Sequence, residues 1–387
     1  MRKIVFLLAF TLGVVSPARA LKHVNVEELE QLLFRSHGMS DGKVAEELSA
    51  VVLTERASSI RLARWQTEFP GRRCHEALTE LADASAFLNL PAVDMPADAP
   101  PDRDAQKAML EKTVSNVNTT FKRLPNFYAT RKTERFEDTP PRQTVEKSNS
   151  SQMGRGSRSG MMNVSQGQSD YIALHSVGRS SVTVSFRDGD ELVNSKKVIL
   201  DPQSSQVTGL TTKGEFGPIL NVVLFDAIAG KIAWGHWEQG AYGVEAVLSY
   251  TVPQDQSHYM VSIPVGAKVD QVIPAYHGEI SIAPDSGSIL RITVIADFAP
   301  EYRWVYTALL VEYGAVPIGG ASYICPIKGV AISRMPTTIF QGERNDESQA
   351  QTQLNDVAFT DYHLFRAESR ILTGDSAVQE EPQPAHR

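Results

Sequence analysis

The feature that most restricts the fold is a period of two that sets in after residue 170 and runs almost to residue 365. Its clearest instance is YGVEAVLSYTV, where Tyr242, Val244, Ala246, Leu248, Tyr250 and Val252 fall on one side of an extended chain. Glu245, Ser249 and Thr251 fall on the other. Val182, Val184 and Phe186 alternate in the same way up to Asp188-Gly189, a hairpin-turn pair, and Leu192 opens the return strand. Further strands are expected at 127–138, 305–313, 321–325, 330–334 and 357–365, with Gly319-Gly320 as a turn between two of them. A chain with this many half-apolar strands folds as an antiparallel sheet with one face buried.

Residues 276–298, YHGEISIAPDSGSILRITVIADF, mix histidine, carboxylates and serines and so imitate an active site. The alternation argues otherwise. Ile280 and Ile282 interleave with Glu279 and Ser281, Pro284-Asp285-Ser286-Gly287 supplies turn chemistry, and Leu290, Ile292, Val294 and Ala296 interleave with Arg291, Thr293 and Asp297. The stretch reads as a hairpin whose polar residues face solvent, with Glu279 and Arg291 as cross-strand partners. One segment breaks the β pattern: in GEFGPILNVVLFDAI, 214–228, Phe216, Leu220, Val223 and Ala227 recur about one helical turn apart and Pro218 suits a first turn.

The front half has helical spacing instead. Asn25-Val26-Glu27-Glu28 has the form of a capping box ahead of Val26, Leu29, Leu32 and Leu33. Ser40 is placed to cap a second helix carrying Val44, Leu48 and Val51, and ERASSIRLARWQTEF is expected to continue helically to Pro70-Gly71. Cys74, Leu78, Leu81 and Leu88 mark one face of a third, PAVDMPADAPP at 91–101 is a proline-rich connector, and a last helix runs from about Asp102 to Lys122.

At the N-terminus, Arg2 and Lys3 precede about twelve largely apolar residues and then Ala18-Arg19-Ala20, the pattern of a cleaved secretory signal. Twelve residues of helix reach only about 18 Å, short of a hydrocarbon core of about 30 Å. Removing the three basic residues of this segment takes the formal net charge from -7 to -10, which argues against nucleic acid as a partner. The expected destination is the periplasm or the exterior, with peripheral membrane contact or none. The two cysteines, Cys74 and Cys325, are candidates for a disulfide in an exported chain, although Cys74 also fits an apolar helical stripe as a free thiol.

The organisation that follows is α+β: a signal peptide at 1–20, a helical domain (an N-terminal bundle) at 21–122 with its connector at 91–101, and an antiparallel β domain at 123–371. That domain includes a mobile polar loop at 140–169, and a flexible tail spans 372–387. No G-x-S-x-G, H-E-x-x-H or C-x-x-C motif is present. His236 and Glu238 in GHWE and His277 and Glu279 in YHGE repeat an H-x-E spacing that suits a metal only if their strands are neighbours; no metal and no cofactor are expected.

The series LPNFYATRKTERF, GEFGPIL, VLSYTVPQDQSHY, GEISIAPDSGSILRITVIAD, VEYGAVPIGGASYICP and LNDVAFTDYHLF, over about residues 124–365, resembles a group of uncharacterised secreted proteins of soil bacteria. More distantly, the succession of strand, glycine turn and strand is similar to the LolA-like half-barrel of periplasmic lipoprotein carriers. That resemblance implies a curved antiparallel sheet with a covering helix and an apolar hollow for an acyl chain, a lipid or a lipidated partner. The candidate lining is Phe225, Trp234, Trp237, Leu248, Tyr250, Ile280, Ile282, Leu290 and Ile292. The alternatives are an envelope module for protein interaction with its hollow filled by its own side chains, and, last, a serine or metal-dependent hydrolase.

Overall fold

A computed structural model of the chain describes residues 21–139, 172–187, 190–194, 218–241, 243–265, 268–336 and 350–365. The expected signal peptide, the polar loop at 140–169, the Asp188-Gly189 turn and the tail at 372–387 lie outside the described residues.

The front begins with β1 (Lys22–Val24) and α1 (Val26–Ser36), whose capping box forms as the sequence implies: Glu28 N–H donates to Asn25 Oδ1 at 2.8 Å and Asn25 N–H to Glu28 Oε2 at 3.0 Å. Then come α2 (Asp41–Leu48), β2 (Val51–Leu53), α3 (Ser59–Glu68) and α4 (Arg72–Ala84). The expected continuous helix through 51–68 is broken because Val51–Leu53 pairs in parallel with Lys22–Val24, a partner some thirty residues away that helical periodicity does not register. Leu29, Leu33, Leu48, Trp65, Cys74 and Leu78 close the core of this unit. Leu88 does not belong to it: α4 ends at Ala84 and Leu88 is exposed beyond the helix.

Helix α5 (Arg103–Arg123) was expected to complete the helical unit but packs elsewhere. Its Leu110 and Val117 join the core of the sheet. The turn after Ile282 fixes its path, since Gly287, at φ +71°, lies so close to Lys112 and Thr113 of α5 that a Cβ there would come within 2.8 Å of backbone.

The sheet contains β3 (Phe127–Thr139), β4 (Ile172–Arg187), β5 (Asp190–Asn194), β6 (Lys231–Gly240), β7 (Gly243–Val252), β10 (Ala275–Ile282), β11 (Ile289–Asp297), β12 (Tyr306–Ile318), β13 (Ala321–Pro336) and β14 (Ala350–Leu364). They form one antiparallel sheet of ten strands in the order β5-β4-β3-β14-β13-β12-β11-β10-β7-β6, so the chain is α+β. The two strands expected at 321–325 and 330–334 are one, and Gly319 and Gly320 turn into it at φ +61° and +93°. A small hairpin of β8 (Val261–Val265) and β9 (Lys268–Val272) forms its own two-stranded ladder, with Val261 and Ile263 packed with Val305, and α6 (Pro218–Ala229) precedes β6. Among the described residues no helix is long and apolar enough to cross a membrane.

The faces of the sheet are covered differently. On one, Val223, Leu224 and Ala227 of α6 and Val117 of α5 pack on Leu248, Tyr250, Ile280, Ile292, Leu309 and Val311. On the other, Ala86, with the partly buried Ala84 and Phe87, sits on Leu310, Val330, Ile332, Leu354 and Phe136, so the helical unit rests on this second face.

Candidate functional site

The apolar face was the expected ligand site. Leu248, Tyr250, Ile280, Ile282 and Ile292 do share one core there, but each is buried and in contact with α6 or its neighbours. Trp234 packs at the margin of this core and meets Trp237 edge-on with ring centroids 4.8 Å apart, while Trp237 Nε1–H donates to the Ala99 carbonyl in the connector. Leu290 is buried outside the cluster, and Phe225 points outward, 66% exposed. The sheet and helix thus bring five of the nine residues together and fill the space between them. An apolar pocket at the end of this core, lined by residues such as Val117, Phe127, Leu220 and Ile324, has a volume of about 20 Å³, about enough for one water.

Two polar devices pin this face. The Tyr250 hydroxyl crosses β10 over Gly278 to donate to the Thr293 carbonyl at 2.6 Å, and a Cβ on Gly278 would sit 1.9 Å from that oxygen. Asp226, fully buried on α6, accepts from His258 N–H at 2.8 Å, His258 Nδ1 at 2.6 Å and the Tyr276 hydroxyl at 2.9 Å, tying α6 to β10 and to the segment before β8.

The second face overturns the expectation that the polar residues of the 276–298 hairpin meet solvent. Ser281, Arg291 and Thr293 are 0, 8 and 5% exposed, because the helical unit lies over them. Glu238 of β6 takes a bidentate pair from Arg291, at 2.8 and 2.7 Å, and a third charged bond at 2.7 Å from Arg56 of the helical unit. Burial alone would raise the Glu238 carboxyl, but His236 at 3.6 Å, Arg291 and Arg56 hold it well below the usual carboxylate range. Glu279 lies 3.4 Å from Arg291, diagonal to it, since the residue directly opposite Arg291 is Ser281. Farther along, Lys328 meets Asp83 of α4 at 2.5 Å and Asp356 at 3.6 Å. Burial pushes the Asp83 carboxyl up to about 7 in spite of Lys328, and the charges of Asp356 and Glu312 add to that rise. Between these two nodes is a cavity of about 120 Å³ lined by Arg56, Asp83, Glu238, Arg291, Glu312 and Lys328.

The H-x-E pairs therefore share a face but not neighbouring strands: β7 separates β6 from β10, and the Arg291 guanidinium stands between Glu238 and Glu279 where a cation would otherwise sit. Among the described residues no group of three or more His, Cys, Asp or Glu side chains is arranged to hold a metal ion. The cysteines do not pair. Cys74 is a free buried thiol in the helical core, its Sγ–H donating to the Asp41 carbonyl at 3.3 Å, and Cys325 is a free buried thiol in the sheet.

Beside the Arg291 node a wider cleft opens between residues 86–89 and strands β7, β10 and β11, with a volume of about 470 Å³. His277 Nδ1 and Asp297 Oδ2 are 2.8 Å apart at its mouth, and Ser249, Thr251, Glu279 and Thr293 lie along its floor. Sequence reasoning missed both the charged node and this cleft. The only available signal was the uncommon placing of Arg and Glu at alternate positions inside otherwise apolar strands. Comparison with protein-family models, curated proteins and solved structures finds no match for this chain.

Proposed function

We propose that the ten-stranded sheet is bent as a half-barrel around α6, and that the chain is an exported, non-enzymatic binding module whose hollow is filled by its own side chains. The observation that supports this reading is that Leu248, Tyr250, Ile280, Ile282 and Ile292 form one buried core with Val223, Leu224 and Ala227 of α6 and Val117 of α5. Tyr250 lying across Gly278 supports the bend, since a glycine covered by a neighbouring aromatic is one way a sheet curves without losing its register. A second reading, that the same face takes an acyl chain or a lipidated partner, rests on α6 itself. PILNVVLFDAIA is apolar on nearly every side, yet it leaves Phe225 and Ile228 exposed, and Asp226 is its main polar anchor to the sheet. An acyl chain would enter by displacing α6, drawing on burial of about 0.8 kcal/mol per CH₂. Solvent extraction of natively purified protein followed by mass spectrometry separates the two. The filled module carries no stoichiometric acyl species and gains no thermal stability from palmitate; a stoichiometric acyl chain in the extract overturns it in favour of the carrier.

A further inference from the structure

We propose that the cleft between residues 86–89 and strands β7, β10 and β11 binds a neutral polyhydroxyl ligand, a saccharide. This cleft opens on the face opposite α6, so the inference is independent of whether the apolar face takes an acyl chain. Its volume of about 470 Å³ falls within the range of about 300–1,000 Å³ typical of small-molecule sites. One wall is apolar: Phe87, Leu88 and the facing Ile295 present hydrocarbon, and Leu88 is 39% exposed with no place in a core cluster. The floor is polar, with the oxygens of Ser249, Thr251, Glu279 and Thr293, and the Asp297 carboxylate and His277 imidazole stand at the mouth.

Charge selects among the ligands such a cleft could accept. Each carboxylate already has a partner, Asp297 in His277 at 2.8 Å and Glu279 in Arg291 at 3.4 Å. A cationic ligand would compete with these partners, and an anionic one would meet carboxylate oxygens. What remains is a set of acceptor oxygens, hydroxyls and an imidazole, which suits a ligand that both donates and accepts hydrogen bonds through O–H groups. A sugar ring offers hydroxyls at its edge and a C–H surface on its face, matching the polar floor and the apolar wall. The site is also held in shape. Phe87 packs on the second-face core, and the Asn89 carbonyl accepts from Arg56 N–H at 2.9 Å, so the wall is anchored by the same segment that docks on Glu238.

The test is calorimetric titration of the full exported chain with glucose, maltohexaose, cellohexaose and chitohexaose, and with putrescine as a cationic probe. Saturable binding of at least one saccharide is expected, with no putrescine binding. Affinity should fall about tenfold or more in both Leu88→Ala and Asp297→Asn, each worth about 1.4 kcal/mol or more of binding. Both positions are exposed, so the variants should melt at the temperature of the parent. A hexasaccharide bound more tightly than glucose indicates a polymeric glycan, and the reverse order a free sugar; either upholds the proposal. It is overturned if no saccharide in the panel saturates, if saccharide binding survives both substitutions unchanged, or if putrescine binds in place of the sugars.

Discussion

The two faces of the ten-stranded sheet solve the same problem by opposite means. Under α6 the cover is apolar on apolar, pinned by the Tyr250 hydroxyl and the Asp226 carboxylate, whereas under the helical unit an apolar patch is flanked by buried ion pairs that link residues as far apart as Arg56 and Glu238. Apolar packing tolerates sliding and repacking. A guanidinium pair converging on one carboxylate tolerates neither, because each buried charge is costly without its partner. The α6 side therefore contributes stability through buried area, while the polar side, where losing one charge leaves others buried without a partner, also fixes the position of the helical unit on the sheet and, with it, the shape of the junction cleft.

The most damaging single change should be on the polar face. Glu238→Ala leaves Arg56 and Arg291 buried without their shared carboxylate and is expected to cost about 3–5 kcal/mol in urea denaturation. A loss below about 1 kcal/mol, the range of exposed pairs, would show that the two arginines find other partners and that the contrast between the faces is overstated. On the apolar face, Ile280→Ala opens a cavity in the core shared with α5 and α6 and should cost about 3 kcal/mol. The two changes should also differ in kind: the first should alter the cleft and weaken ligand binding there, whereas the second should leave it unaffected.

Acid–base behaviour offers a second contrast. Asp83 is held with its carboxyl raised to about 7 from an ordinary value near 3.8, so between those values the folded chain carries more proton than the unfolded chain. The contribution of this group is full below pH 4 and is lost as pH rises towards 7. Glu238 has the opposite sign, its lowered carboxyl contributing above about pH 4.5 and losing that contribution as pH falls. Asp83→Asn should accordingly flatten the decline in stability between pH 4 and 7 seen by thermal melting, without changing the loss at lower pH. An unchanged slope would mean that Asp83 is ionised through this range and fully matched by Lys328.

What could be read along the chain was what is local. Asn25 and Glu28 are three residues apart and cap α1 as their spacing implies; Ile280, Ile282, Ile292 and Val294 alternate and lie on one face of one hairpin. Where the reading failed, the deciding partner was distant. Arg291, Ser281 and Thr293 look like solvent-facing residues because nothing in their own hairpin says that a helical unit more than a hundred residues upstream covers them. Val51 looks helical until Lys22 pairs with it. Helix α5 reads as the last helix of the front, and its fit against Gly287, with Leu110 and Val117 in the core of the sheet, shows that it belongs to the sheet. The sequence likewise named five residues of the apolar face without revealing that α5 and α6 fill the space between them.

The rim of the polar face supplies the finest test of the comparison. Arg179 of β4 bonds Glu134 at 2.8 Å and Glu76 of α4 at 2.5 Å, so it joins the helical unit to the sheet much as Arg56 does. It differs in being about half exposed. Water already solvates its guanidinium, so both the gain from pairing and the loss on removing a partner shrink, and salt screens what is left. Arg179→Ala should therefore cost about 0–1 kcal/mol, and the small loss should vanish as salt is raised, whereas the penalty of Glu238→Ala should persist. If Arg179→Ala proved as costly as the buried change, burial would not be what distinguishes the ion pairs, and the docking of the helical unit would have to be ascribed to the whole band of charge rather than to the Arg56–Glu238–Arg291 node.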